Sequence, residues 1–159
     1  LCVAKYGNLP AIRAILQSGV DVNKKHGTKN WTGLHVAAGY DQVDAVKLLL
    51  EAGADPNIRD EYGYTALNWH LASARHEQNP LLVRALIQAG ADVKTTDKRL
   101  DTPLHYTENE ACAMMLIEAG ADINALNGHG RSPLRTAICF QQSAVERLLR
   151  RFKALDIGP

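Results

Sequence analysis

The sequence predicts an all-α fold, a solenoid of about five stacked helix–turn–helix units with projecting hairpin- or turn-like fingers. Three recurrences carry that expectation. A leucine-rich run ends in Gly-Val-Asp at 19–21 and in Gly-Ala-Asp at 53–55, 90–92 and 120–122. A polar stretch follows each run and leads into Thr/Ser-x-Leu, as Thr32-Gly33-Leu34, Thr65-Ala66-Leu67, Thr102-Pro103-Leu104 and Ser132-Pro133-Leu134. Gly19, Gly53, Gly90 and Gly120 stand 34, 37 and 30 residues apart, a period that belongs to supersecondary units copied along an axis.

The elements follow in order. The first unit, 1–23, is partial: Leu1 enters inside its inner helix, and Ala11, Ile12, Ala14, Ile15 and Leu16 mark its outer helix. In 24–57, Thr32 caps the inner helix Leu34-His35-Val36-Ala37-Ala38, whose alanines admit a close neighbour, and Ala45, Val46, Leu48, Leu49 and Leu50 form the outer stripe. In 58–94, Thr65 caps the inner helix. Asn79-Pro80 reads as a fresh cap and first helical residue before Leu82, Val83, Ala85, Leu86 and Ile87. In 95–124, Pro103 opens a short inner helix, and Cys112, Ala113, Met115, Leu116 and Ile117 give the outer one. In 125–159, Pro133 plays the same part. Ser143-x-x-Glu146 is expected to form a capping box, and Glu146, Arg147, Arg150, Arg151 and Lys153 put charge on the last helix, as a terminal repeat needs. Each recurring glycine ends its helix in a left-handed conformation. About 33 residues beyond Gly120 the count reaches Lys153, where the fifth unit ends without a glycine. The connections 60–63, 97–100 and 127–130 carry Asp/Asn and Gly turn chemistry and predict the finger tips.

Composition narrows function. Only 6% of residues are aromatic against 46% hydrophobic, so the core is aliphatic, and a net charge of +1 argues against general affinity for nucleic acid or anionic membrane. No apolar run approaches the length of a membrane span. No signal peptide is evident, although Leu1 is not an initiator Met and upstream sequence is expected. Cys2, Cys112 and Cys139 lack the spacing of a disulfide framework or zinc site and are expected to be core thiols in a reducing compartment.

The phrases Thr-Pro-Leu-His at 102–105, its variants at 32, 65 and 132, and Gly-Ala-Asp-x-Asn at 53–57 and 120–124 resemble those of the ankyrin-repeat family over the whole chain. The resemblance implies a curved stack of helical pairs whose usual work is protein–protein recognition through finger tips and the concave inner-helix surface. Departures from the pattern are a longer first finger at 26–30, about four extra residues at 73–79, a compressed turn at 107–110, Leu100 where a finger glycine is expected, and Asn68 and Arg135 in place of the motif histidine. Asn57 and Asn124 resemble asparagines that are hydroxylated in some family members; a turn-stabilising amide is the reading favoured here.

Candidate chemistry reduces to binding. No P-loop, His-Glu-x-x-His, Gly-x-Ser-x-Gly or Gly-x-Gly-x-x-Gly occurs, so no catalytic residue, cofactor or metal site is assigned. His35 and His105 are expected to bond to neighbouring turns, His70 and His76 bracket the insertion, and Asp21, Asp55, Asp92 and Asp122 accept turn amides. The basic C-terminal residues lack interleaved aromatics and read as a solvated face rather than a nucleic-acid patch. Tyr, Trp and Arg are the residues that anchor interfaces. By the resemblance, Trp31, Tyr64, Asp101 and Arg131 stand at finger bases, Tyr62, Arg99 and His129 at or near tips, and Tyr40, Trp69 and Tyr106 on inner helices, so that the aromatic residues gather on one edge. Trp31, Tyr62 and Tyr64 are expected to be exposed. The expected function is a monomeric, non-enzymatic module binding a protein partner in cytosol or nucleus. The alternatives are the recognition part of a larger enzymatic or ubiquitin-ligase-recruiting protein, a secreted pathogen effector acting in host cytosol, or a spacer in a membrane-anchored protein.

Overall fold

The computed structural model describes residues 1–73 and 77–158. The inserted segment 73–79, and His76 within it, therefore lie partly outside the described residues. The chain divides into two compact units, Leu1–Asp92 and Val93–Pro159.

The first unit consists of three helical pairs: α1 (Cys2–Lys5) with α2 (Leu9–Gln17), α3 (Gly33–Gly39) with α4 (Val43–Glu51), and α5 (Ala66–Ala72) with α6 (Pro80–Gln88). The short inner helices α1, α3 and α5 stack in one layer and the longer α2, α4 and α6 in a second. The second unit repeats the plan with a single 3-10 turn, Pro103–Tyr106, paired with α7 (Glu110–Glu118), and α8 (Pro133–Cys139) paired with α9 (Ser143–Arg151). The compression expected near 107–110 is thus an inner helix cut to one turn, with Asn109 capping α7 through the amides of Ala111 and Cys112.

The motif residues set each layer. Thr32, Thr65 and Ser132 accept from the amides of His35, Asn68 and Arg135, capping α3, α5 and α8. The motif leucines Leu34, Leu67, Leu104 and Leu134 are at most 1% exposed, and burial of each contributes about 2 kcal/mol. Asn79 caps α6 as the sequence predicts.

Asparagines lace neighbouring repeats together. Asn23 donates to the Gly53 carbonyl and accepts from Asp55, and Asn57 does the same with Gly90 and Asp92. Asn124 accepts from Leu155, in the segment that closes against Ser132. Asp21, Asp55 and Asp122 each accept the amide two residues on.

Four expectations need correction. Cys2 and Cys139 are exposed, on sides of their helices that none of the described helices covers; only Cys112 is buried, and burial pushes its thiol up to about 11. Ser143 forms no capping box: it is the first residue of α9, Gln142 occupies the cap position without a side-chain bond, and Glu146 pairs forward with Arg150 at 2.9 Å. The stripe on α2 buries only Ile12 fully, and Ile15 is 41% exposed, since α2 is covered by α4 on one side whereas α4 packs between α2 and α6. The fingers are tight turns rather than hairpins; among the described residues the only ladder pair outside helices is His26–Trp31.

Leu100 adopts φ +62°, in the finger position where Gly63 and Gly130 have φ +84° and +70°. A branched, half-exposed side chain gains nothing there and suffers the left-handed penalty. Leu100→Gly is expected to raise stability by about 0.5–1 kcal/mol, the backbone relief less the extra freedom of glycine in the unfolded chain. An unchanged or lower urea midpoint contradicts this.

Candidate protein-binding surface

Each finger is organised by one polar side chain at its base. Asp60 Oδ1 accepts the amides of Tyr62 and Tyr64, Asp97 Oδ1 those of Arg99 and Asp101, and Asn127 Oδ1 those of His129 and Arg131. The amide of that residue also closes on the carbonyl four residues on. In the longer first finger the closure runs between His26 and Trp31, five residues apart.

Histidine ties finger to inner helix. His35 Nδ1 accepts from the Thr32 amide at 3.2 Å and faces the Thr32 hydroxyl at 2.8 Å, so Nε2 carries the proton and donates to the Tyr64 carbonyl at 3.0 Å. His105 repeats the arrangement with Thr102 and the Arg131 carbonyl. Asn68 keeps the bonds to Thr65 that the histidine would make. Burial, first of all, holds both imidazoles below their ordinary value of 6.5. A histidine with a lowered folded pKa binds fewer protons than the unfolded chain. Its contribution is therefore full above about 6.5 and is lost as pH falls below that value. Melting temperature is expected to drop on acidification, and the double variant His35→Asn, His105→Asn to be less stable at neutral pH but flatter in its pH dependence. Parallel wild-type and variant profiles contradict this. His70 is fully buried, with Nε2 accepting from Asn79 and Nδ1 donating to the Ala38 carbonyl, so both ring nitrogens have structural partners.

In the first unit the fold gathers four predicted residues into one cluster. Asp60 is 7% exposed, and its Oδ2 accepts from both indoles, Trp69 at 2.7 Å and Trp31 at 3.1 Å. The Trp31 and Trp69 rings meet edge to face, centroids 5.1 Å apart and planes at 86°, and Tyr64 lies 5.6 Å from Trp69. Lys29 Nζ stands 4.8 Å above Trp31 and 6.0 Å from Tyr62. Tyr62 is exposed as expected; Trp31 and Tyr64 are half-buried, because the indole of Trp31 must turn inward to reach Asp60. Tyr40 meets a different cation, Lys5, whose Nζ is 5.1 Å from the rings of Tyr40 and Tyr6.

The second unit builds its counterpart from other residues. Tyr106 donates to Asp97 Oδ2 at 2.6 Å, as Trp69 does to Asp60. Arg99 donates to the Tyr106 hydroxyl at 2.8 Å, lies 5.9 Å over that ring, and has Nε 3.6 Å from both Asp97 and Asp101. Asp101 is buried and bonded to Asn127 Nδ2, so it positions Arg99 rather than meeting solvent. His129 is exposed at its tip and Arg131 is half-buried.

Sequence reasoning missed Asp60 and Lys29. The signal for Asp60 was present: Asp60, Asp97 and Asn127 recur at one place in the repeat, four residues before Tyr64, Asp101 and Arg131. Lys29 belongs to the lengthened tip and has no counterpart to align with.

A family model described as ankyrin repeats (3 copies) matches residues 1–97 and 69–158. The chain is 34% identical over 138 residues to human ankyrin repeat and SOCS box protein 16, covering 82% of the chain and 30% of that protein. It is 34% identical over 142 residues to human ankyrin repeat and SOCS box protein 6, covering 82% and 32%. It is 31% identical over 160 residues to palmitoyltransferase AKR1 of Lachancea kluyveri, covering 78% and 22%. The chain thus spans about a third or less of the length of these relatives. With the family model matched along essentially its whole length, on top of the capped inner helices, left-handed glycine stops and aspartate-organised fingers, the chain belongs to the ankyrin-repeat family.

Proposed function

We propose that the chain is a non-catalytic module that binds a protein partner through its finger tips and inner-helix surface, with Trp31, Tyr62, Tyr64 and Trp69 as the main contact patch of the first unit. Ankyrin repeats mediate protein–protein interaction, which supports the class of function. The observation that carries the assignment of the patch is the pair of indoles fixed on the buried Asp60 carboxylate. Anchoring orders large amphipathic side chains before a partner arrives, so little side-chain entropy is lost on binding. Arg99, Tyr106, His129, Arg131 and Tyr40 are the further contact residues, with Asp101 supporting Arg99. In this reading the recurring aspartates and histidines serve the scaffold. Among the described residues no helix is long and apolar enough to cross a membrane.

Tyr62→Ala leaves the Asp60 network intact and is expected to weaken partner capture about tenfold or more, as loss of an aromatic anchor does. Arg84→Ala, on the exposed side of the outer helix α6, is expected to leave capture unchanged. Equal capture by both variants, each folded by circular dichroism, counts against the patch.

A second reading has one observation in its favour. Two relatives are named for ankyrin repeats together with a SOCS box, and the chain spans about a third of each. We propose that the module is the recognition part of a longer protein whose remaining part supplies an enzymatic or ligase-recruiting activity. The open reading frame around this segment tests that directly.

A further inference from the structure

We infer that the Trp31–Tyr62–Trp69 cluster over Asp60 is a receptor for a cation, and that its occupant in a complex is an arginine side chain of the partner, exchanging with the chain's own Lys29. The inference rests on the protein-binding reading above. Three observations carry it.

The first is the state of Asp60. It is a buried carboxylate whose four bonds come from neutral donors, two backbone amides and two indoles, and among the described residues no cation stands within ion-pair distance of it. None of the described side chains supplies it a counterion, and an indole N–H that donates to an anion makes its ring a better partner for positive charge.

The second is that the cluster already draws in a cation. The exposed Lys29 ammonium lies over the face of Trp31 and towards Tyr62, and among the described residues these rings are what hold it. Such a contact at the surface is weak and exchangeable. The other finger lysine nearby, Lys25, is turned to the Arg59 carbonyl.

The third is a template within the chain. In the second unit the position of Tyr62 is taken by Arg99, that of Trp69 by Tyr106 and that of Asp60 by Asp97. There the guanidinium lies over the aromatic ring and beside the carboxylate. The repeat thus already holds an arginine at this place when its own fingertip provides one. In the first unit the fingertip residue is tyrosine, and the arginine that takes this place is supplied by the partner. A planar guanidinium stacks on an aromatic face more readily than a hydrated ammonium, which favours arginine over lysine as the incoming group.

Trp31 and Trp69 are the chain's two tryptophans, so tryptophan emission, excited where tyrosine does not absorb, reads this cluster alone. The experiment titrates the chain with acetyl-Gly-Arg-Gly-amide and with its citrulline counterpart, a neutral shape mimic. The expected result is a saturable emission change with arginine only. It should weaken with salt, tighten about threefold in Lys29→Ala, where the competitor is gone, and weaken in Tyr62→Ala. Equal responses to arginine and citrulline, or weaker arginine binding by Lys29→Ala, overturn the inference. Tighter binding of lysine or trimethyl-lysine peptides than of the arginine peptide overturns the choice of arginine. Failure of the arginine peptide while Tyr62→Ala still abolishes partner capture removes this inference and leaves the protein-binding reading standing. Arginine binding that persists while Tyr62→Ala leaves capture intact keeps the cation site and removes the wider patch.

Discussion

Asp60→Ala is expected to lower stability by about 2–4 kcal/mol and to shift tryptophan emission to the red, as two indoles lose their common anchor. Four donors converge on this carboxylate: the amides of Tyr62 and Tyr64 at 2.8 and 2.9 Å, and the indoles of Trp69 and Trp31 at 2.7 and 3.1 Å. Bonds to a charged acceptor contribute about 1.5–3 kcal/mol each, but the half-buried indoles recover part of that from water, which sets the lower total. Asp60→Asn keeps an oxygen for the two amides and is expected to lose roughly half as much. Urea unfolding followed by fluorescence measures both quantities at once. A loss under about 1 kcal/mol for Asp60→Ala, with emission unmoved, contradicts the view that Asp60 holds the patch together.

The second large effect belongs to the core. Leu67→Ala is expected to cost about 3–5 kcal/mol, because Leu67 is 0% exposed on α5, which packs against both α3 and α6, and the void cannot be filled from either side. Leu81→Ala, at a residue 60% exposed on α6, is expected to change stability by no more than about 0.5 kcal/mol. Chemically the two substitutions are the same, so the difference in urea midpoint isolates burial. Similar midpoints contradict the packing described.

Much of the fold is legible because each repeat residue has a local physical task. Thr32, Thr65 and Ser132 are caps whatever follows them, Asn79-Pro80 opens a helix by its own geometry, and the glycines at 19, 53, 90 and 120 take left-handed conformations that sequence alone requires. Lys153, reached by counting, adopts φ +58° without being glycine, so the period itself is informative. The errors arise where exposure depends on what lies beside a helix. Cys139 and Ile15 look like core residues along one helix and are exposed because none of the described helices covers that side. Ser143 and Glu146 have capping-box spacing, but the helix starts one residue too early for it.

The candidate site was legible as composition and only partly as geometry. Unusual aromatics at equivalent repeat positions pointed to Trp31, Tyr62, Tyr64 and Trp69, and the structure places them together. That Trp31 and Trp69 share one carboxylate oxygen depends on contacts 29 and 9 residues apart, which no local pattern encodes. Asp101 shows the opposite effect: it holds the same repeat position as Tyr64, yet it is buried and bonded to Asn127.

Hydrogen exchange of the chain alone and in complex with its captured partner reports which face the partner covers. Slowed exchange is expected in the fingers and inner helices, at 26–31 and 60–69, with the outer helices Val43–Glu51 and Pro80–Gln88 unchanged. Protection confined to those outer helices, with the fingers exchanging as in the free chain, would contradict it.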